Sequence, residues 1–114
     1  MPVSSIDADP AAEPPIRHAE AALCRVLSDE TRLGMLAALA AGPLSVTELC
    51  RRLDLPQSTA SRHLKVLRDQ ALVVATRDAQ RVLYRLRDHH LLKVIAALDR
   101  YLVWTGSGGQ GAAT

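Results

Sequence analysis

At 114 residues the chain fits one domain with a modest core. Hydrophobic residues make up 48% but aromatics only 3%, with no Phe, so an Ala/Leu/Val core is implied, which suits helices better than a sandwich; no apolar run approaches the ~20 residues that a membrane span needs. The net charge of +2 is uneven: nine basic against three acidic residues from Arg51 to Arg87 leave that stretch at +6 and the remainder at −4, a local field of the kind that binds phosphate.

The opening "MPVSSIDADPAAEPP" has neither the charged n-region nor the apolar h-region of a signal peptide. Residues 1–15 are expected to form a disordered N-terminal tail, and 105–114, "TGSGGQGAAT", a second one. The folded part is then 16–104. Two cysteines without an export signal imply reduced thiols and a cytoplasmic protein.

Ile16, Ala19, Leu23, Val26 and Leu27 make a stripe at helix spacing. Ser28 or Asp29 can cap a second helix carrying Leu33, Leu36 and Leu39, which stops before "AGP". Ser45-x-x-Glu48 is a capping box that starts a third helix. Pro56 suits the first turn of a fourth, running to about Gln70. The period then changes. "ALVVATRDAQRVLYRLR" alternates, is β-branched and breaks at Asp78-Ala79-Gln80, which predicts a hairpin. A last helix from about Asp88 to Trp104 aligns Leu91, Ile95, Leu98 and Leu102 on one side. The chain is therefore mostly α with one β-hairpin, in the order helix–helix–helix–helix–hairpin–helix.

On the fourth helix, a rotation of about 100° per residue puts Ala60, Leu64 and Leu67 in one sector, facing the core. Ser58, Ser61, Arg62 and Lys65 fall together on another. Hydroxyls beside Arg and Lys suit the edges of bases in a major groove, or else an ordinary solvated face. Gln57 and Thr59 occupy the first turn, the end that points into the groove in helix-turn-helix proteins. Arg77 and Arg81 flank the hairpin tip, placed to straddle a DNA backbone or enter a minor groove.

Over residues 20–103 the chain resembles the ArsR/SmtB family of winged helix-turn-helix repressors. The likeness is carried by "LSDETRLGMLAAL", "LSVTELCRRLDLPQSTASRHLKVLRDQALV" and "RVLYRLRDHH". It implies a winged helix-turn-helix fold whose hairpin is the wing. It also implies a homodimer formed by the first and last helices, bound to an inverted-repeat operator in double-stranded DNA and released by an inducer, usually a metal ion. Ile16 and Leu23 with Leu91, Ile95, Leu98 and Leu102 supply apolar surface for such a dimer.

The metal sites that the resemblance implies are incomplete. The family's Cys-x-Cys-Asp-Leu site falls on Ser45, Thr47, Glu48 and Leu49, with both cysteines missing, whereas arsenic(III) wants three thiolates. Of the family's zinc site, Asp88 and His90 match the first half, but the second half falls on Tyr101 and Trp104, and Trp cannot ligate. His89 and His90 then read as surface or capping residues at a helix start.

Cys24 and Cys50 remain. Cys24 lies off the apolar stripe near Arg17 and Glu20, while Cys50 lies beside Leu49 and Leu53, where it serves equally as core filler. His63 falls between the core and exposed sectors and is expected to turn toward Cys50. His18 is rotated by about 120° from Cys24, so those two meet only across a dimer. Mercury(II) needs only two soft ligands, and an organomercurial needs one. The best match is thus a mercury-responsive repressor with Cys24 and Cys50 as anchors and His18, Glu20 or His63 as secondary donors; zinc fits less well. Alternatives are a thiol redox or reactive-sulfur sensor, a metal-blind regulator, and a small zinc hydrolase. No HExxH or nucleophile–base pair supports an enzyme.

Overall fold

Asp29 stands at the junction of the first two helices with extended backbone, and its carboxylate accepts the Arg32 N–H at 3.0 Å. That closes α1 (Pro15–Leu27) and starts α2 (Glu30–Leu39). Of the two cap candidates, Asp29 is the one used; Ser28 donates its hydroxyl to the Arg25 carbonyl instead. The computed structural model describes residues 15–106. The expected tails lie outside that range save for Pro15, Thr105 and Gly106, which extend the folded part by one residue at its start and two at its end.

α3 (Val46–Leu53) begins with both halves of the capping box: the Glu48 N–H donates to Ser45 Oγ at 3.1 Å, and the Ser45 N–H to Glu48 Oε1 at 2.8 Å. It ends at Asp54, which takes the left-handed conformation that Asp tolerates better than most side chains. Leu55 and Pro56 complete the turn, and α4 (Gln57–Asp69) follows. Pro56 precedes α4 as its N-cap rather than lying inside its first turn.

The expected two-stranded hairpin is a three-stranded antiparallel sheet. β2 (Val73–Asp78) and β3 (Arg81–Leu86) pair as predicted, and β1 (Leu44–Ser45) adds on the other edge of β3, with Leu44 opposite Tyr84 and Ser45 opposite Leu83. Ser45 therefore both pairs with the wing and caps α3, which fixes the wing against the helix-turn-helix. At the hairpin tip Ala79 has φ 59° while Gln80 stays negative, the sign pattern of a type II′ turn.

α5 (His90–Thr105) starts two residues later than the periodicity suggests, because Asp88 stays outside the helix and its carboxylate accepts the His90 N–H at 2.7 Å. The core joins Met35, Leu36 and Leu39 of α2 with Leu49 of α3 and Leu64 and Leu67 of α4, closed by Val73 and Leu86 of the sheet and Leu91 of α5. No helix among the described residues is long and apolar enough to cross a membrane.

Candidate nucleic-acid interface

α4 is held by its buried side. Ala60, Leu64 and Leu67 are at most 1% exposed, as the helical rotation predicts. That packing turns Gln57, Ser58, Ser61, Arg62 and Lys65 to solvent and leaves Thr59 half-buried. No side chain caps the first turn of α4, where the Thr59 and Ala60 N–H groups bond back to the Pro56 carbonyl.

A cleft of about 560 Å³ opens between this turn, α3 and the wing. Gln57 and Ser61 line it from α4, Thr47, Glu48 and Arg51 from α3, and Arg81, Val82 and Tyr84 from β3. Three elements separated in sequence thus surround one opening, and the dominant charge is positive. Arg51, Arg62, Arg77 and Arg81 make no side-chain hydrogen bond or ion pair among the described residues, so their guanidinium groups are open to phosphate or base acceptors. Lys65 differs: its ammonium lies 3.1 Å from Asp69 on the exposed face.

The strand register places Arg77 opposite Val82 and Asp78 opposite Arg81. With alternation along each strand, Arg77 and Arg81 project from opposite faces of the wing, an arrangement that can straddle a strand of backbone. Arg51 and Glu48 also line the cleft, although in the sequence Arg51 stands out only as bulk charge and Glu48 only as a helix cap and a position of the family's incomplete thiolate site. Their spacing of three on α3 puts them on one face, which was the available signal.

Glu48 is held below the usual carboxylate range, first by the Ser45 backbone N–H, then by the Ser45 side chain, with Arg81 and Arg51 adding smaller attractions. Asp88, likewise depressed, owes this first to the His90 backbone N–H. The His90 imidazole Nδ1 lies 2.6 Å from the same carboxylate, both groups being exposed.

The expected metal donors do not converge within one chain. Among the described residues no three His, Cys, Asp or Glu side chains are grouped as a metal would require. Cys24 is exposed on α1, whereas Cys50 is half-buried against the core. Glu20 pairs with Arg17 at 2.6 Å, and His18 is exposed. His63 does not turn toward Cys50. Its Nδ1 lies 3.3 Å from Arg32 Nη1 and 3.8 Å from Asp29 Oδ2, because a half-buried imidazole nitrogen must find a polar partner and the α2 cap supplies two. Tyr101 and Trp104, at the family's remaining zinc positions, are 63% and 83% exposed.

Of the expected dimer residues, Leu91 is buried, Leu23 and Ile95 pack partly on the core, and Ile16, Leu98 and Leu102 are 54%, 45% and 41% exposed. Together with Val94, Tyr101, Val103 and Trp104, the outer half of α5 presents an apolar surface.

Comparison with known proteins agrees with this geometry. A family model described as a helix-turn-helix domain matches residues 27–77. The Mycobacterium tuberculosis HTH-type transcriptional repressor SmtB is 37% identical over 86 residues, which are 74% of this chain and 64% of that repressor, so the chain spans under two thirds of that relative's length. The solved structure of reduced HlyU from Vibrio cholerae is 36% identical, with a TM-score of 0.67, over 75% of this chain and 90% of that one. A homodimeric winged helix-turn-helix DNA-binding domain from Mycobacterium bovis, Mb0332, is 26% identical, with a TM-score of 0.67, over 73% and 77%.

Proposed function

Because the chain belongs to the ArsR/SmtB family of winged helix-turn-helix repressors, we propose that it is a homodimeric DNA-binding repressor. In this reading it is released from its operator by a thiophilic metal, mercury(II) or an organomercurial. The observation that carries the DNA-binding part is the cleft, where Gln57 and Ser61 of α4, Arg51 of α3 and Arg81 of the wing meet. Backbone phosphates take the arginines at the rim, and the exposed face of α4 takes base edges. The apolar outer half of α5 supports self-association, and Mb0332 is described as homodimeric. Two copies would set two α4 helices about one helical turn apart, which suits an inverted repeat.

The donor chemistry supports mercury over the family's other ions. One chain has two cysteines, on different helices, so it cannot by itself supply the three thiolates that arsenic(III) prefers. No four-ligand set exists for zinc where Tyr101 and Trp104 replace donors. Two thiols suffice for a soft, two-coordinate ion, with His18, Glu20 or His63 as secondary donors from either copy. A thiol redox or reactive-sulfur response of Cys24 and Cys50 is the second reading, favoured only by the exposure of Cys24.

The test is enrichment of duplexes from a randomised pool, repeated with mercury(II) added. Recovery of a two-fold symmetric site that is lost on near-stoichiometric mercury supports the proposal. Failure to enrich any sequence removes DNA reading, and an unmoved complex removes the inducer.

A further inference from the structure

Glu48 faces the cleft that gathers the DNA-binding groups, yet its sign is wrong for phosphate. It cannot swing away cheaply, because Oε1 is held by the Ser45 N–H at 2.8 Å as half of the capping box. Arg51 on α3 and Arg81 on the wing line the same opening. Capping does not need the charge: a neutral Gln at this position closes the same box.

We propose that Glu48 is a specificity-determining residue, a fixed negative charge in the cleft that weakens sequence-independent DNA binding relative to base reading by α4. This rests on the DNA-binding function above. Affinity for any duplex comes mainly from neutralising phosphates, and it is the part that competes with the operator. Two uncompensated arginines would draw in backbone of every sequence. One carboxylate between α3 and the wing cancels part of that pull, while Arg62 and the hydroxyls of α4 keep their contacts with base edges. At separations of roughly 7 Å in a water-like medium, one like charge lowers phosphate affinity by about threefold.

The experiment compares wild type with Glu48→Gln on two duplexes, one enriched by the wild type from a randomised pool and one of the same composition with scrambled order. Glu48→Gln should bind the scrambled duplex about threefold more tightly, with a steeper dependence on salt, while the enriched duplex gains less, so that their ratio falls. Its thermal midpoint should match wild type, because the box stays closed. Glu48→Ala should move the salt dependence the same way but melt lower, which separates charge from capping. Unchanged scrambled-duplex affinity and salt slope in a folded Glu48→Gln protein would overturn the proposal. So would equal tightening on both duplexes, or loss of folding in Glu48→Gln. Failure of the wild type to enrich any sequence is a different result, which removes DNA reading itself.

Discussion

The Arg32 guanidinium reaches His63 across two helices, Nη1 to Nδ1 at 3.3 Å, while its Nε donates to the Val26 carbonyl at 2.7 Å. One side chain of α2 thereby ties the end of α1 to the flank of α4. A third contact runs from Nη2 to the Arg25 carbonyl at 3.3 Å. Arg32→Met should cost about 1–3 kcal/mol, because a half-buried imidazole nitrogen and a helix end lose their donor. Arg32→Lys should recover little, since a single ammonium cannot reproduce the planar fork. Urea unfolding at constant slope measures both, and a loss below about 0.5 kcal/mol would show the tie to be idle.

Acid should act through Asp29. Its carboxyl is held below the usual range, first by the Arg32 backbone N–H, with His63 and the Arg32 side chain adding smaller attractions. A depressed folded value means that the stabilisation is complete above the unfolded pKa, near 3.9, and drains away as pH falls through the folded value. Asp29→Asn keeps an oxygen for the cap but cannot titrate. Near neutrality it should be less stable than wild type by about the amount that protonation of Asp29 removes, and its decline below about pH 4 should be shallower. An equally steep acid limb in the two proteins would place the linkage on other carboxylates.

Much of this was legible in the chain because it follows from spacing. Period 3.6 set the buried and exposed sides of α4, and Ser45-x-x-Glu48 set the start of α3. β1 was not legible, since two residues carry no period and its pairing depends on the wing folding back. His63 shows the same boundary. Periodicity gives its azimuth, but its partners Asp29 and Arg32 lie more than thirty residues earlier, and only the packing of α2 on α4 brings them together. Glu48 was readable as a cap, whereas its place in the cleft depends on where Arg81 lands.

On DNA, Arg62 and Lys65 should separate cleanly. Arg62 is exposed and makes no side-chain bond within the described residues, so Arg62→Ala should cost about 1–3 kcal/mol on the enriched duplex and relax preference at one base position. Lys65 already shares its charge with Asp69, and a phosphate must compete for it. Lys65→Ala should weaken all duplexes alike and flatten the salt slope by about one. Unaltered affinity in both variants would take α4 out of the interface.

Self-association should depend on the outer half of α5. Leu98 is 45% exposed and follows the partly packed Ile95 along one stripe. Leu98→Glu would bury a charge in an apolar contact without touching the monomer core. It should sediment as a folded monomer and lose affinity for the enriched duplex, because a single half-site then bears the whole cost of binding. An intact dimer in this variant would move the interface off the stripe.

Mercury should act through both thiols, and their different burial predicts different effects. Cys24 is exposed and can capture the ion first. Cys50 is half-buried on α3, packed against the core, one helix away from the reading face of α4. A metal drawn onto Cys50 must loosen α3 from that packing, and α3 carries Arg51 and the capping box to which the wing is stitched. Release of DNA follows from that loosening, since the cleft loses its fixed spacing. Cys24→Ser should therefore raise the mercury(II) concentration needed for release, while Cys50→Ser should still bind mercury but hold its DNA. The double variant should ignore mercury(II) altogether. Fluorescence anisotropy of a labelled enriched duplex, titrated with mercury(II) and separately with zinc(II), distinguishes these outcomes. If the double variant still let go of DNA, or if zinc released the wild type at lower concentration than mercury, the thiols would not be the sensor.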